Sequence, residues 1–148
     1  MQPLNLPTYQ FKIKSNENKY FIFDIIRKKY VHLAPEEWVR QHIVHYLIEE
    51  KKYPISLINV EKKVVVNGTL KRTDILIFNN KGLPQIIVEC KAPQVTITQQ
   101  SFDQIARYNL SLKAPYLMVT NGITHFNCTM DFENNNYIFL EELPNYKH

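Results

Sequence analysis

Arg72-Thr73-Asp74-Ile75-Leu76-Ile77-Phe78, then Asn79-Asn80-Lys81-Gly82-Leu83-Pro84, then Gln85-Ile86-Ile87-Val88-Glu89-Cys90-Lys91 is the stretch on which the reading of this chain turns. Two apolar runs of strand length flank a turn-rich connector, which is the pattern of a hairpin. Side chains alternate faces along a strand, so Glu89 and Lys91 share one face and Asp74 can meet them from the neighbouring strand. Cys90 then faces the other way, as a small core residue. The charges sit at the ends of runs too apolar to be solvated faces, and buried charge is costly unless paired or metal-bound. Two carboxylates repel unless a cation joins them, and hard oxygen ligands suit Mg²⁺ or Mn²⁺. A lysine beside such a site can hold or activate a water and stabilise charge developing on a phosphate. Taken alone, an acid-x-lysine at a strand end is more often a same-face ion pair.

Outward from this stretch, Pro35-Glu36-Glu37 combines a first-turn proline with acids suited to the positive end of a helix. Val39, Ile43, Tyr46 and Leu47 continue at helical spacing to about Glu50, with Pro54 beyond. Glu36 lies on the stripe of Val39, Ile43 and Leu47 and can reach a cluster at a sheet edge, whereas Glu37 is turned about 100° away. Compensation of the helix dipole explains Glu36 equally well. His42 and His45 are expected to point outward. A second helix is read from about Thr98 to Leu112, with Gln104 and Tyr108 one turn apart on one side, suited to orienting the lysine or meeting a phosphate. A polar residue and an aromatic flanking a helix–sheet seam is the competing account.

The remaining elements are extended. Residues before Pro35 read as short strands or extended chain, 55–66 as one strand or two broken near Glu61-Lys62-Lys63, and Asn67-Gly68 as a hairpin turn. Tyr116–Thr120 reads as a buried strand, Asn121-Gly122 as another turn, and 123–130 and 137–141 as final strands. The fold class is α/β, a central mixed sheet flanked by helices, in one domain over 1–148 with residues 1–22 as an N-terminal extension.

Composition narrows the function. With 3 glycines among 148 residues there is no glycine-rich phosphate loop, so any ATP-driven motor is expected to lie on another chain or to be missing altogether. The net charge of +4 permits a polyanionic partner without demanding one. Lys71 and Arg72 are candidate backbone contacts. Cys90 and Cys128 have no paired spacing and read as free thiols in a reducing interior. No signal peptide or membrane span is read, and cytoplasm is the expected location.

Asp74, Glu89-Cys90-Lys91 and Gln104-x-x-x-Tyr108 resemble the pattern of the PD-(D/E)xK nuclease superfamily. Pro35-Glu36-Glu37-Trp38-Val39-Arg40-Gln41, Arg72-Thr73-Asp74, Val88-Glu89-Cys90-Lys91-Ala92-Pro93 and Gln104-Ile105-Ala106-Arg107-Tyr108-Asn109 together resemble the N-terminal nuclease domain of type I restriction enzyme R subunits, over roughly 23–144. Thr73 replaces the proline of the superfamily name, and the R subunit's helicase motor is absent. The resemblance implies a restriction-endonuclease-like core and a Mg²⁺-dependent endodeoxyribonuclease. Asp74, Glu89 and the Cys90 backbone carbonyl would hold the metal, and Glu36 would assist through water. Lys91 would serve the attacking water and the phosphorane, and Gln104 and Tyr108 would organise Lys91 and the phosphate. The implied partners are DNA, a second copy of the chain for duplex scission, and motor or restriction-modification subunits on other chains. The alternative is a non-catalytic nucleic-acid- or protein-binding module that keeps the fold.

Overall fold

A computed structural model describes all 148 residues. The stretch 72–91 falls on two antiparallel neighbours in a six-stranded sheet, β5 (Thr69–Phe78) and β6 (Pro84–Cys90). Before them come a three-stranded antiparallel sheet of β1 (Ile13–Asn16), β2 (Lys19–Asp24) and β3 (Lys29–His32), then helix α1 (Pro35–Glu49) and β4 (Ile58–Val66). After them come α2 (Gln99–Leu112), β7 (Tyr116–Thr120), β8 (His125–Asp131) and β9 (Asn136–Leu140). The large sheet has the order β4-β5-β6-β7-β8-β9, antiparallel except where β6 pairs parallel with β7. A parallel pair cannot be closed by a tight turn, and α2 supplies the crossover. The sheet is therefore mixed, and the expected α/β class holds.

Alternation along the central strands feeds two cores. Ile75, Ile77, Ile86, Val88, Cys90 and Met118 pack against Val39, Ile43, Val44 and Leu47 of α1. Leu76, Ile87, Leu117, Val119 and Cys128 pack against Phe102 and Ala106 of α2 on the other face. Full burial of such an aliphatic side chain contributes about 1.5–3 kcal/mol, so β5, β6 and β7, buried on both faces, anchor the sheet. Cys90 is a buried free thiol, as its parity requires.

Local signals explain the element ends. Thr98 caps α2 by accepting from the Ser101 amide at 3.1 Å, while the Ser101 hydroxyl accepts from the Thr98 amide, a reciprocal capping box. Asn67 and Gly68, with φ of 50° and 77°, form the tight turn between β4 and β5. Strand β4 is continuous through Lys62-Lys63, but Glu61 has φ of 60° and the β4–β5 ladder skips Glu61 and Asp74. Val60 packs into the α1-side core whereas Val64, of the same parity, packs into the α2-side core. The left-handed residue has rotated the distal hairpin, so simple alternation does not carry across it.

The N-terminal residues are not bare extended chain. The amide of Asn5 donates to the Gly122 carbonyl at 2.8 Å, Trp38 Nε1 donates to the Gln2 carbonyl, and Leu4 and Leu6 pack against the α1-side core. Phe11 stacks on Trp38 and His42, and Tyr9 on His45. The expectation that His42 and His45 point outward is corrected here: His42 is buried and His45 half-buried, because residues 2–11 cover that flank of α1. Residue 22 falls inside β2, and the small sheet continues to His32.

Candidate functional site

Asp74 belongs to neither ladder. The β5–β6 register pairs Ile75 with Val88, so its next step sets Asp74 opposite Glu89, but pairing stops there. The freed carboxylate caps the neighbouring strand instead, its Oδ2 accepting from the Cys90 amide at 2.8 Å. Glu89 is largely buried, makes no hydrogen bond through Oε1, and has its pKa raised well above the ordinary carboxylate range. Burial is the largest cause, followed by the neighbouring Asp74 carboxylate; Lys71 and Lys91 oppose the shift. A buried acid held up by a neighbouring acid has an excess of negative charge that a cation would relieve. Lys91 follows β6, its amide donating to the Thr120 carbonyl at 2.8 Å, and its charge acts on both Glu89 and Glu36. It forms no direct ion pair.

The two acids of α1 divide differently from the expectation that Glu36 lies on the inner stripe and Glu37 is turned away. Glu36 is exposed, yet close enough to the sheet edge that burial and then Asp74 raise its pKa, with Lys91 and Arg40 pulling the other way. Glu37 is the buried one. The stripe argument fails in the first turn because Glu37 is drawn inward by cations that the stripe did not include. Its carboxylate accepts from Arg40 Nη2 at 2.6 Å and Nε at 3.0 Å, from Arg27 Nη2 at 2.8 Å and from Gln41 Nε2 at 3.0 Å. Burial pushes Glu37 up, but Arg40, then Gln41 and Arg27, outweigh it and hold the carboxyl at about 2.

Arg40 is the residue that sequence reasoning missed. It is buried, and its Nη1 lies 2.8 Å from Glu61 Oε1 and 3.5 Å from Asp74 Oδ1. Arg72, expected to face a nucleic acid, lies 3.2 Å from the other oxygen of Glu61. A chain of charge therefore runs Asp24–Arg27–Glu37–Arg40–Asp74, with Glu61 and Arg72 as its branch. The available signal was the arginine three residues after Glu37, on a helix whose neighbours are apolar.

Gln104 and Tyr108 lie on the flank of α2 away from the buried stripe of Phe102, Ala106 and Asn109, at about 100° per residue. The structure does not tie Gln104 to Lys91: it is exposed and makes no hydrogen bond. The tyrosine is longer and reaches the sheet. Lys71 Nζ stands 3.8 Å from its ring centroid, its hydroxyl is buried without a partner, and burial followed by Glu89 pushes its pKa up to about 12. The structure thus gathers Asp74, Glu89, Lys91, Glu36, Lys71 and Tyr108 around the point where β5 and β6 part and leaves Gln104 outside. No three acidic, histidine or cysteine side chains converge into a ready metal cage.

A mixed six-stranded sheet with a helix on each face, and an acid pair and lysine where the pairing of β5 with β6 stops, defines a restriction-endonuclease-like α/β domain. The family described as the type I restriction enzyme R protein N terminus matches residues 35–144, and the chain belongs to that family. The match begins where α1 begins, so the small sheet and the N-terminal arm lie outside it. No curated protein matches the chain. No helix is long and apolar enough to cross a membrane.

Proposed function

We propose that this domain is a Mg²⁺- or Mn²⁺-dependent endodeoxyribonuclease of a restriction or defence system, working with DNA and with motor or modification subunits on other chains. One observation carries the reading: two carboxylates from adjacent buried strands face each other, one with a raised pKa and an unpartnered oxygen, beside a lysine that makes no ion pair. Mg²⁺ is usually held by one or two carboxylates, with water and substrate phosphate completing its shell, so a two-acid site fits it without a third side chain. Asp74 and Glu89 would be those ligands. The N–H and C=O of one extended residue project from the same strand edge, so the Cys90 carbonyl is directed toward Asp74, as its amide is. When bound, the metal would offset the paired negative charge and polarise the scissile phosphate.

The chain's own groups then divide the work. Lys91 orients the attacking water and stabilises charge on the pentavalent phosphorane as the leaving oxygen departs. Glu36 accepts a hydrogen bond from water on the solvent side of Asp74. The Tyr108 hydroxyl, otherwise unpartnered, donates a hydrogen bond to a phosphate oxygen of the bound substrate.

The reading is tested on supercoiled plasmid with Mg²⁺ or Mn²⁺. Wild type is expected to nick it, and Asp74→Ala and Lys91→Ala to lower the rate by about 10²-fold or more. Nicking that persists in both variants dismisses the site. Arg40, which already offsets part of the Asp74 charge, supports the second reading, a non-catalytic binding module. That reading predicts DNA binding with no nicking by any form, even with a motor subunit added.

A further inference from the structure

The β4–β5 hairpin continues well beyond the acid pair. From Asp74 to Thr69, where β5 begins beside the turn, the strand advances about 17 Å, at about 3.3 Å per residue. Residues 62–73 carry Lys62, Lys63, Lys71 and Arg72 and no acid. Lys62 and Lys63 are exposed and make no ion pair, while Arg72 is held by Glu61 and Lys71 by the Tyr108 ring at the base of the hairpin. Near the tip, Val65 and Leu70 are cross-strand partners and are 68% and 61% exposed. The next pair on that face is Lys63 with Arg72, so an exposed apolar pair is flanked by cations on one surface.

We propose that this distal hairpin is an arm that enters the major groove of duplex DNA next to the Asp74–Glu89 pair, with Lys62 and Lys63 on phosphates and the Val65–Leu70 pair against base edges. The identity of the polyanion rests on the nuclease reading; the arm itself rests on the hairpin. A two-stranded β-ribbon fits the major groove, about 12 Å wide, and apolar side chains there meet thymine methyl groups. Protection of an edge strand is the competing explanation, since β4 is at the sheet edge and lysines discourage pairing there. It accounts for Lys62 and Lys63 but not for Val65 and Leu70, which would invite the association that the lysines prevent. Positioning also favours the arm. Its base is Lys71, whose charge acts on Glu89, so a duplex seated on the hairpin lies beside the acid pair.

The test is equilibrium binding of the full chain to a short fluorescent duplex in EDTA, across a salt series, so that cleavage plays no part. Lys62→Gln/Lys63→Gln should weaken binding and lower the slope of log affinity against log salt by about one for each phosphate no longer neutralised. Val65→Ser/Leu70→Ser should weaken binding several-fold and leave that slope unchanged. In the unmodified protein, duplex should protect Lys62 and Lys63 from acetylation, a readout independent of how the variants fold. Duplex affinity and slope equal to wild type in both variants, or equal acetylation with and without duplex, would overturn the arm and leave the hairpin to a protein partner. Cleavage that depends on Asp74 alongside hairpin-independent binding would retire the arm and keep the nuclease. Hairpin-dependent binding without cleavage would do the reverse.

Discussion

Arg40 decides how the acids of the site are held. Its guanidinium meets Glu37, Glu61 and Asp74, which lie on a helix and two strands. Removing one partner from a buried ion pair leaves uncompensated charge, so Arg40→Met is expected to destabilise the fold by about 3 kcal/mol in urea melts. Arg40→Lys should recover only part, because a single ammonium cannot span three carboxylates as a planar fork does. Glu37 sets the acid limit of stability. Its folded pKa lies below the unfolded value, so its contribution is present above the ordinary carboxylate range and lost as pH falls through about 2. Glu37→Gln should flatten the fall in melting temperature between about pH 5 and about pH 3 relative to wild type; parallel curves would count against the network. The Asp74–Glu89 meeting was legible because strand parity and a hairpin connector fix it. The Arg40 link was not, because a helical arginine among acids reads the same whether solvated or buried.

At the scale of elements, glycine positions separate local strain from packing. Gly68 in the β4–β5 turn has φ of 77° and open space around it, so Gly68→Ala should cost only the left-handed backbone penalty, about 1 kcal/mol. Gly122 has φ of 85°, and a Cβ there would lie 2.8 Å from Leu4 Cδ2 and 3.2 Å from Val39 Cγ2. Gly122→Ala should therefore push out the N-terminal arm and speed proteolysis within residues 1–11, while Gly68→Ala leaves the arm protected. Equal protection in both variants would mean that Leu4 yields without loosening the arm. Turn chemistry made the Asn67-Gly68 hairpin readable, and apolar runs made β5, β6 and β7 readable. The first sheet was read only as short extended pieces because β1 is exposed throughout and β3 nearly so, leaving no alternation to find. The rotation at Glu61 was invisible for another reason: a non-glycine residue in the left-handed region carries no sequence mark.

Across the whole molecule, the N-terminal residues outside the family match complete one flank of the domain. Phe11 and the Gln2 carbonyl cover Trp38, the chain's single tryptophan, and Asp24 and Arg27 feed the charge chain that ends on Asp74. Deleting residues 1–11 should red-shift Trp38 fluorescence and lower the melting temperature; an unchanged spectrum would show that the arm does not cover the ring. The central claim is more local: Asp74 and Glu89 form a divalent-cation site beside Lys91. Its most direct test is anomalous diffraction from crystals grown with Mn²⁺. The account predicts a manganese peak within about 2.2 Å of carboxylate oxygens from both acids, with Arg40 drawn back from Asp74. A well-ordered structure with no peak there, and Arg40 still against Asp74, would contradict it.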